Sequence, residues 1–175
     1  VRRIIQAPAG CDWKTLYDHM KQTRRDYVSP EAIGELVEDI LHDAQQNGVD
    51  LIELRVSLLS TVQALMENLG IKDESERWKY ATPVLDKIIE AIQKCTGQIK
   101  ADLVVSLSSQ QKFKDVAADL LKLCRDYKEH IIGIDITNEK DLPPTTFSRE
   151  IEKTRQDIKF LTIQCMEVMG PERGW

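Results

Sequence analysis

The sequence predicts an α/β fold made of parallel β/α units, either an open sheet or one closed into a barrel. Three observations predict it. Four apolar, β-rich runs recur along the 175 residues, at 49–56, 101–107, 130–136 and 160–165. Apolar residues at helical spacing separate the runs. Each run is reached from the last through a long connection, which is what neighbouring parallel strands require.

Residues 1–10 hold a short apolar patch followed by Pro8 and Gly10, which interrupt regular structure and predict a loop or strand end. Asp12 is placed to cap a short helix carrying Trp13, Leu16, Tyr17 and Met20 to about Arg24. Ser29-Pro30-Glu31 combines a capping hydroxyl, a proline where no N–H is needed and an acid at the positive end of the helix dipole. Ile33, Leu36, Val37, Ile40, Leu41 and Ala44 continue it as one apolar stripe, which Asn47-Gly48 ends. The first β-rich run follows and carries Arg55 near its end. The segment 58–70 is apolar but interrupted by Thr61, Gln63, Glu67 and Asn68, which predicts a loop with one or two helical turns. The charged stretch 72–80 is expected to be exposed.

Thr82-Pro83 repeats the Ser29-Pro30 device and predicts a second helix start, with Val84, Leu85, Ile88, Ile89 and Ile92 on one face and Gly97 as its stop. The run ADLVVSL is the second strand. Ser108-Ser109 is read as opening the next helix, buried through Phe113, Val116, Ala117, Leu120, Leu121 and Cys124. The run HIIGIDI is the third strand. Pro143-Pro144 bars a helix at that point, and a last helix over about 147–156 leads into FLTIQC.

With 42 % hydrophobic and 30 % charged residues the chain has an ordinary globular composition, and a formal charge of -5 argues against a general nucleic-acid surface. It has no apolar run of about twenty residues to span a membrane and no apolar N-terminal signal. Cys11, Cys95, Cys124 and Cys165 are widely spaced, without a Cys-x-x-Cys pair or a neighbouring His at ligand spacing. Reduced thiols, and so a cytoplasmic setting, are the expectation. Gly-rich phosphate loops and Gly-x-Ser-x-Gly are absent from the sequence, so nucleophilic catalysis has no support.

In parallel α/β folds chemistry is built at the carboxyl ends of the strands. Those ends carry Arg55, Ser106 to Ser108, Thr137-Asn138-Glu139 and Gln164 to Glu167. Arg55 is expected to pair with Glu53 or a strand-end acid as structural support. Asp135, inside an apolar run, needs polar partners and is expected to cap a neighbouring loop. His42 and His130 are expected at the surface, and Met166 and Met169 in packing.

The order of segments resembles the adenosine deaminase family. Ser29-Pro30-Glu31-Ala32, a helix, and then the run from Asn47 to Arg55 resemble that family's approach to its second strand, where a G-V-x-Y-x-E-L-R-like string is typical. In the same register, Thr82-Pro83 opens a helix, Val104 to Ser109 stands for the third strand, Ile132-Gly133-Ile134-Asp135 for the fourth and Leu161 to Glu167 for the fifth. The resemblance covers nearly all of the chain from about Asp12. It implies a (β/α)8 TIM-like barrel hydrolase, zinc-dependent in the family, in which an activated water attacks C6 of a purine and expels ammonia.

Carried over residue by residue, the resemblance makes Glu167 the catalytic proton-transfer residue and puts Asn138 and Glu139 on the substrate-binding loop. Gln164 stands where the family has a zinc-binding His, and Met166 where it has Gly. The family's His-x-His has no match among His19, His42 and His130, so the expectation is no metal-ligand set in this segment. Asn138 puts a side chain where a family Gly lets the backbone approach the base. A complete barrel takes about 250 residues. The expectation is therefore a single segment over 1–175, the N-terminal half of such a barrel, inactive alone and completed by a further barrel segment or other protein chains. Its parent would deaminate a purine nucleoside or nucleotide. The alternatives are a degenerate scaffold that serves assembly or ligand sensing, and a self-contained open sheet that binds a small ligand.

Overall fold

The computed structural model describes residues 12, 14–15, 18, 22–108, 111–137 and 144–163. Its contacts divide the chain into two compact units, Val1–Ile40 with Ser60–Lys94 and Leu41–Leu59 with Cys95–Trp175.

The first unit is helical. Asp12 Oδ1 accepts the Thr15 amide at 2.7 Å, the capping contact expected there. Trp13, Leu16, Tyr17 and Met20 lie outside the described residues. Helix α1 (Pro30–Gln46) begins as expected, with Ser29 Oγ accepting the Ala32 amide at 3.1 Å. It ends as expected at Gly48, whose φ of 77° is open to glycine at little cost.

Helix α2 (Leu58–Asn68) runs for about three turns where a loop with one or two helical turns was expected. Leu58, Leu59, Val62, Leu65 and Met66 form one buried stripe, and the intervening Thr61, Gln63 and Glu67 sit on its wetter side. Gln63 Nε2 donates to Glu67 Oε1 one turn on.

Helix α3 (Arg77–Lys94) also differs from the expectation of a start at Thr82-Pro83. Asp73 Oδ1 accepts the Ser75 amide at 2.9 Å and opens a 3-10 turn, Glu74–Glu76, that leads directly into α3. Pro83 therefore lies inside the helix. Arg77, expected in an exposed charged stretch, is 4 % exposed and ion-paired to Glu74. The apolar stripe explains the earlier start, because Ala81, Val84, Leu85 and Ile88 are one continuous buried series. Gly34 lets α1 and α3 approach closely, since a Cβ there would stand 3.1 Å from the Lys87 carbonyl oxygen.

The second unit carries the sheet. Its strands are β1 (Leu51–Val56), β2 (Lys100–Ser108), β3 (Ile131–Thr137) and β4 (Phe160–Ile163), all parallel and in the spatial order 1-2-3-4. Strand positions match the sequence expectation. The order has no reversal, unlike a doubly wound sheet, whose strand order turns back on itself at a switch point. Between Leu103 and Val104 the register slips: Leu103 pairs with Ile131 but Val104 with Gly133, which leaves Ile132 as an extra residue in β3.

Residues level with one another on adjacent strands share a face. One face holds Leu54, Leu103, Val105, Leu107, Ile134 and Ile136, all buried. Helix α4 (Ala117–Asp126) buries Ala117, Leu120, Leu121 and Cys124. It follows a 3-10 segment, Gln111–Val116, rather than starting at Ser108, because Ser108 is still paired with Thr137 in the sheet. Helix α5 (Ser148–Thr154) follows a 3-10 turn, Pro144–Phe147, and is shorter than expected. Arg125 Nη1 donates to Thr154 Oγ1 at 3.3 Å and ties α4 to α5.

Candidate functional site

The opposite face of the sheet is polar towards the strand ends. Going up from the amino ends it carries Glu53 level with Asp102, then Arg55, Val104, Gly133 and Phe160, then Ser106, Asp135 and Thr162, then Ser108 and Thr137. Alternation within each strand puts them there, because every second residue in L-I-E-L-R-V, V-V-S-L-S and G-I-D-I-T projects to the same side. Gly133 sits in a tight row: a Cβ would meet Phe160 Cβ at 3.2 Å, the Phe160 carbonyl oxygen at 3.3 Å and Val104 Cγ2 at 3.5 Å.

Asp135 is the centre of this face. It is 1 % exposed, and its Oδ1 accepts a hydrogen bond from Thr162 Oγ1 at 2.7 Å. Arg55 Nη1 lies 3.4 Å from the same oxygen, while Arg55 Nη2 lies 3.7 Å from Glu53. A carboxylate removed from water needs such partners. Because Arg55 comes from β1, Asp135 from β3 and Thr162 from β4, one buried carboxylate links three of the four strands near their carboxyl ends. Ser106, level with Asp135, and Ser108, level with Thr137, are also buried.

The expected pairing of Arg55 with Glu53 and a strand-end acid is present, and the partner of Asp135 is the neighbouring strand rather than a loop. Thr162 was not singled out by sequence. Its signal was a single hydroxyl between apolar residues in F-L-T-I, which only the register to Asp135 makes meaningful.

Asn138, Glu139, Gln164 and Glu167 lie outside the described residues, as do Cys11, Cys165, His19, Met166 and Met169. Of the remaining histidines, His42 is exposed and within 2.7 Å of Gln46 Nε2, and His130 is exposed before β3. Among the described residues no three His, Cys, Asp or Glu side chains are grouped to hold a metal ion. The donors on the polar face are, among the described residues, carboxylates and hydroxyls, with Arg55 between them and no imidazole. Among the described residues that set does not bring together the three or four ligands that zinc takes. Cys124 is a buried thiol, and burial pushes it up to about 12. No helix among the described residues is long and apolar enough to cross a membrane.

No family model and no curated protein matches the chain. Solved structures share its fold. The apo structure of the N6-methyl-AMP deaminase from Arabidopsis thaliana superposes with a TM-score of 0.70 at 14 % identity, over 92 % of this chain and 47 % of that one. A crystal structure of the arabidopsis N6-mAMP deaminase MAPDA gives 0.60 at 16 % identity, over 91 % and 46 %. Arabidopsis ADAL complexed with IMP gives 0.58 at 15 % identity, over 90 % and 45 %. The chain thus spans a little under half the length of each structure it matches. The likeness expected from sequence is met in the fold: one sheet of parallel β/α units matching part of the adenosine-deaminase-type barrel.

Proposed function

We propose that these residues are the N-terminal half of an adenosine-deaminase-like barrel whose complete rim binds a purine nucleoside or nucleotide and hydrolytically deaminates it, and that the half alone is inactive. The observation that carries the reading is the asymmetry of the sheet. Strands in the order 1-2-3-4 turn one apolar face to helices and keep a polar face with Arg55, Ser106, Asp135 and Thr162 near their carboxyl ends. Barrels of this class place their sites at that end. In the site we propose, Asn138 and Glu139 contact the base and Glu167 moves the proton at a ring nitrogen. Asp135 holds β3 and β4 at a fixed height, so that the loops after them start from a rigid platform. No step is assigned to a metal. A reducing, cytoplasmic setting is part of the reading, supported by the wide spacing of the four cysteines in the sequence.

A second reading, a degenerate scaffold that senses a nucleotide or serves assembly, is favoured by Gln164 at the position of the family's metal-binding His. One set of measurements on the intact protein containing these residues separates the two. Calorimetric titration with IMP is expected to show saturable binding for the enzyme and for a nucleotide-sensing scaffold, and its absence overturns both and leaves only the assembly role. Formation of inosine-type product from AMP or N6-methyl-AMP, with stoichiometric metal by elemental analysis, supports the enzyme. Binding without product or metal supports the scaffold.

A further inference from the structure

We propose that a cavity formed by α2, the turn after it and the start of α3 binds a small organic carboxylate, with the ligand's head group on Arg77 and its apolar body on Met66 and Ile71. No residue of the sheet takes part, and binding there does not depend on the deaminase reading above.

One stretch of sequence inside the helical unit, from Gln63 to Arg77, supplies the whole lining. The chain leaves α2 at Gly70, whose φ is 72°. The Gly70 amide donates to the Glu67 carbonyl at 3.1 Å, and the Ile71 amide donates back to the Met66 carbonyl at 2.8 Å. A left-handed glycine closes a helix in this way and returns the next residue towards the last turn. Half-buried Ile71 and Met66, which is 5 % exposed, thus become apolar lining of the same space. The Asp73 turn then leads into α3 and puts Arg77, the first residue of that helix, in the wall. The volume, about 340 Å3, is that of a small-molecule site, and apolar lining with a few fixed polar groups is the usual make-up of one.

Charge selects the ligand. The Arg77 side chain is 5 % exposed, whereas that of its partner Glu74 is 67 % exposed. The cation is therefore fixed in the wall, while the carboxylate on it lies at the surface and can turn out to water. A guanidinium presents a planar fork of donors that matches a carboxylate at two points, so a ligand carboxylate can take the place of Glu74. Exposed Lys72 adds a second positive charge at the cavity. Glu67, which accepts from Gln63 Nε2 at 2.9 Å, and Glu74 add two negative ones. Two nearby acids oppose a dianion more strongly than a monoanion, which favours a carboxylate over phosphate. The apolar lining gives the same preference, because phosphate has no body to cover Met66 and Ile71.

The test is titration of the intact protein containing these residues with 4-methylpentanoate at pH 7, read from the NMR shifts of the Gln63, Gly70 and Ile71 amides. Saturable shifts are expected. 4-Methylpentan-1-ol has the same body without the charge, and inorganic phosphate has charge without the body; each is expected to bind about tenfold more weakly or worse. Glu74→Gln removes the competing carboxylate and is expected to tighten 4-methylpentanoate binding about threefold or more. Arg77→Met is expected to abolish binding. Absence of saturable shifts, equal binding of the alcohol or of phosphate, or unchanged or weaker binding in the Glu74→Gln protein overturns the proposal. So does binding retained by a folded Arg77→Met protein. If that variant does not melt cooperatively, Glu74→Gln alone decides, since its exposed side chain leaves the fold intact.

Discussion

The two faces of the sheet are made from the same four strands yet are stabilised differently. On the helix side, Leu103, Val105, Leu107, Ile134 and Ile136 are each 4 % exposed or less, and their stabilisation is area removed from water. On the other side, burial of Asp135 is tolerated only because Thr162 and Arg55 meet its carboxylate. An apolar layer tolerates variation as long as volume is kept, whereas a buried carboxylate demands particular partners at particular heights. The difference teaches where geometry is being specified: the helix side sets stability, and the polar side sets how the strand ends stand relative to one another.

The largest test of that contrast is Leu107→Ala, which leaves a void in a fully buried position and is expected to cost about 2–5 kcal/mol in urea unfolding. Next is Arg55→Met, which leaves the Asp135 carboxylate buried with the Thr162 hydroxyl as its side-chain partner among the described residues and is expected to cost about 1–3 kcal/mol. The double variant Arg55→Met with Asp135→Asn should recover part of that loss, and strict additivity would show that the two groups are not coupled. Gly133→Ala presses a methyl against the Phe160 backbone and is expected to destabilise by about 1 kcal/mol, read from the same unfolding curves. Thr162→Val removes one neutral donor to Asp135 and should cost about 1 kcal/mol in the same unfolding curves.

The smallest expected effect is chemical. Cys124 lies in the helix-side core with its thiol pushed up to about 12 by burial, so the reactive thiolate is scarce. Peptide mapping after maleimide treatment at pH 8 should find Cys124 unlabelled in the folded chain and labelled once the chain is unfolded in urea.

The strands, their order along the chain and the capped start at Ser29 were legible because each depends on local pattern: β-rich apolar runs, and a hydroxyl followed by proline. Helix α2 was not, although Leu58, Val62, Leu65 and Met66 recur at helical spacing, because the polar residues between them resembled a loop and only burial shows them to be its outer side. The start of α3 was misplaced for the opposite reason. Thr82-Pro83 is a valid local start signal, overridden by an apolar series that already includes Ala81 and by the Asp73 turn upstream. At the site, Arg55 and its acidic partners could be named from sequence. Thr162 could not, since its meaning comes from being level with a residue 27 positions earlier. The residues expected to perform chemistry, Asn138, Glu139 and Glu167, lie outside the described residues.

The extra residue in β3 has a consequence for how the chain can go wrong. Leu103 meets Ile131 and Val104 meets Gly133, so parity along β3 is broken once, at Ile132. Threaded without that break from the same starting pair, the strand would set Asp135 opposite Leu107, driving a carboxylate into the greasy layer and pushing Ile134 out beside Ser106. A single charge thus acts as a proofreader: the mispaired ladder is rejected by the misplaced acid, and only the correctly indexed one can form.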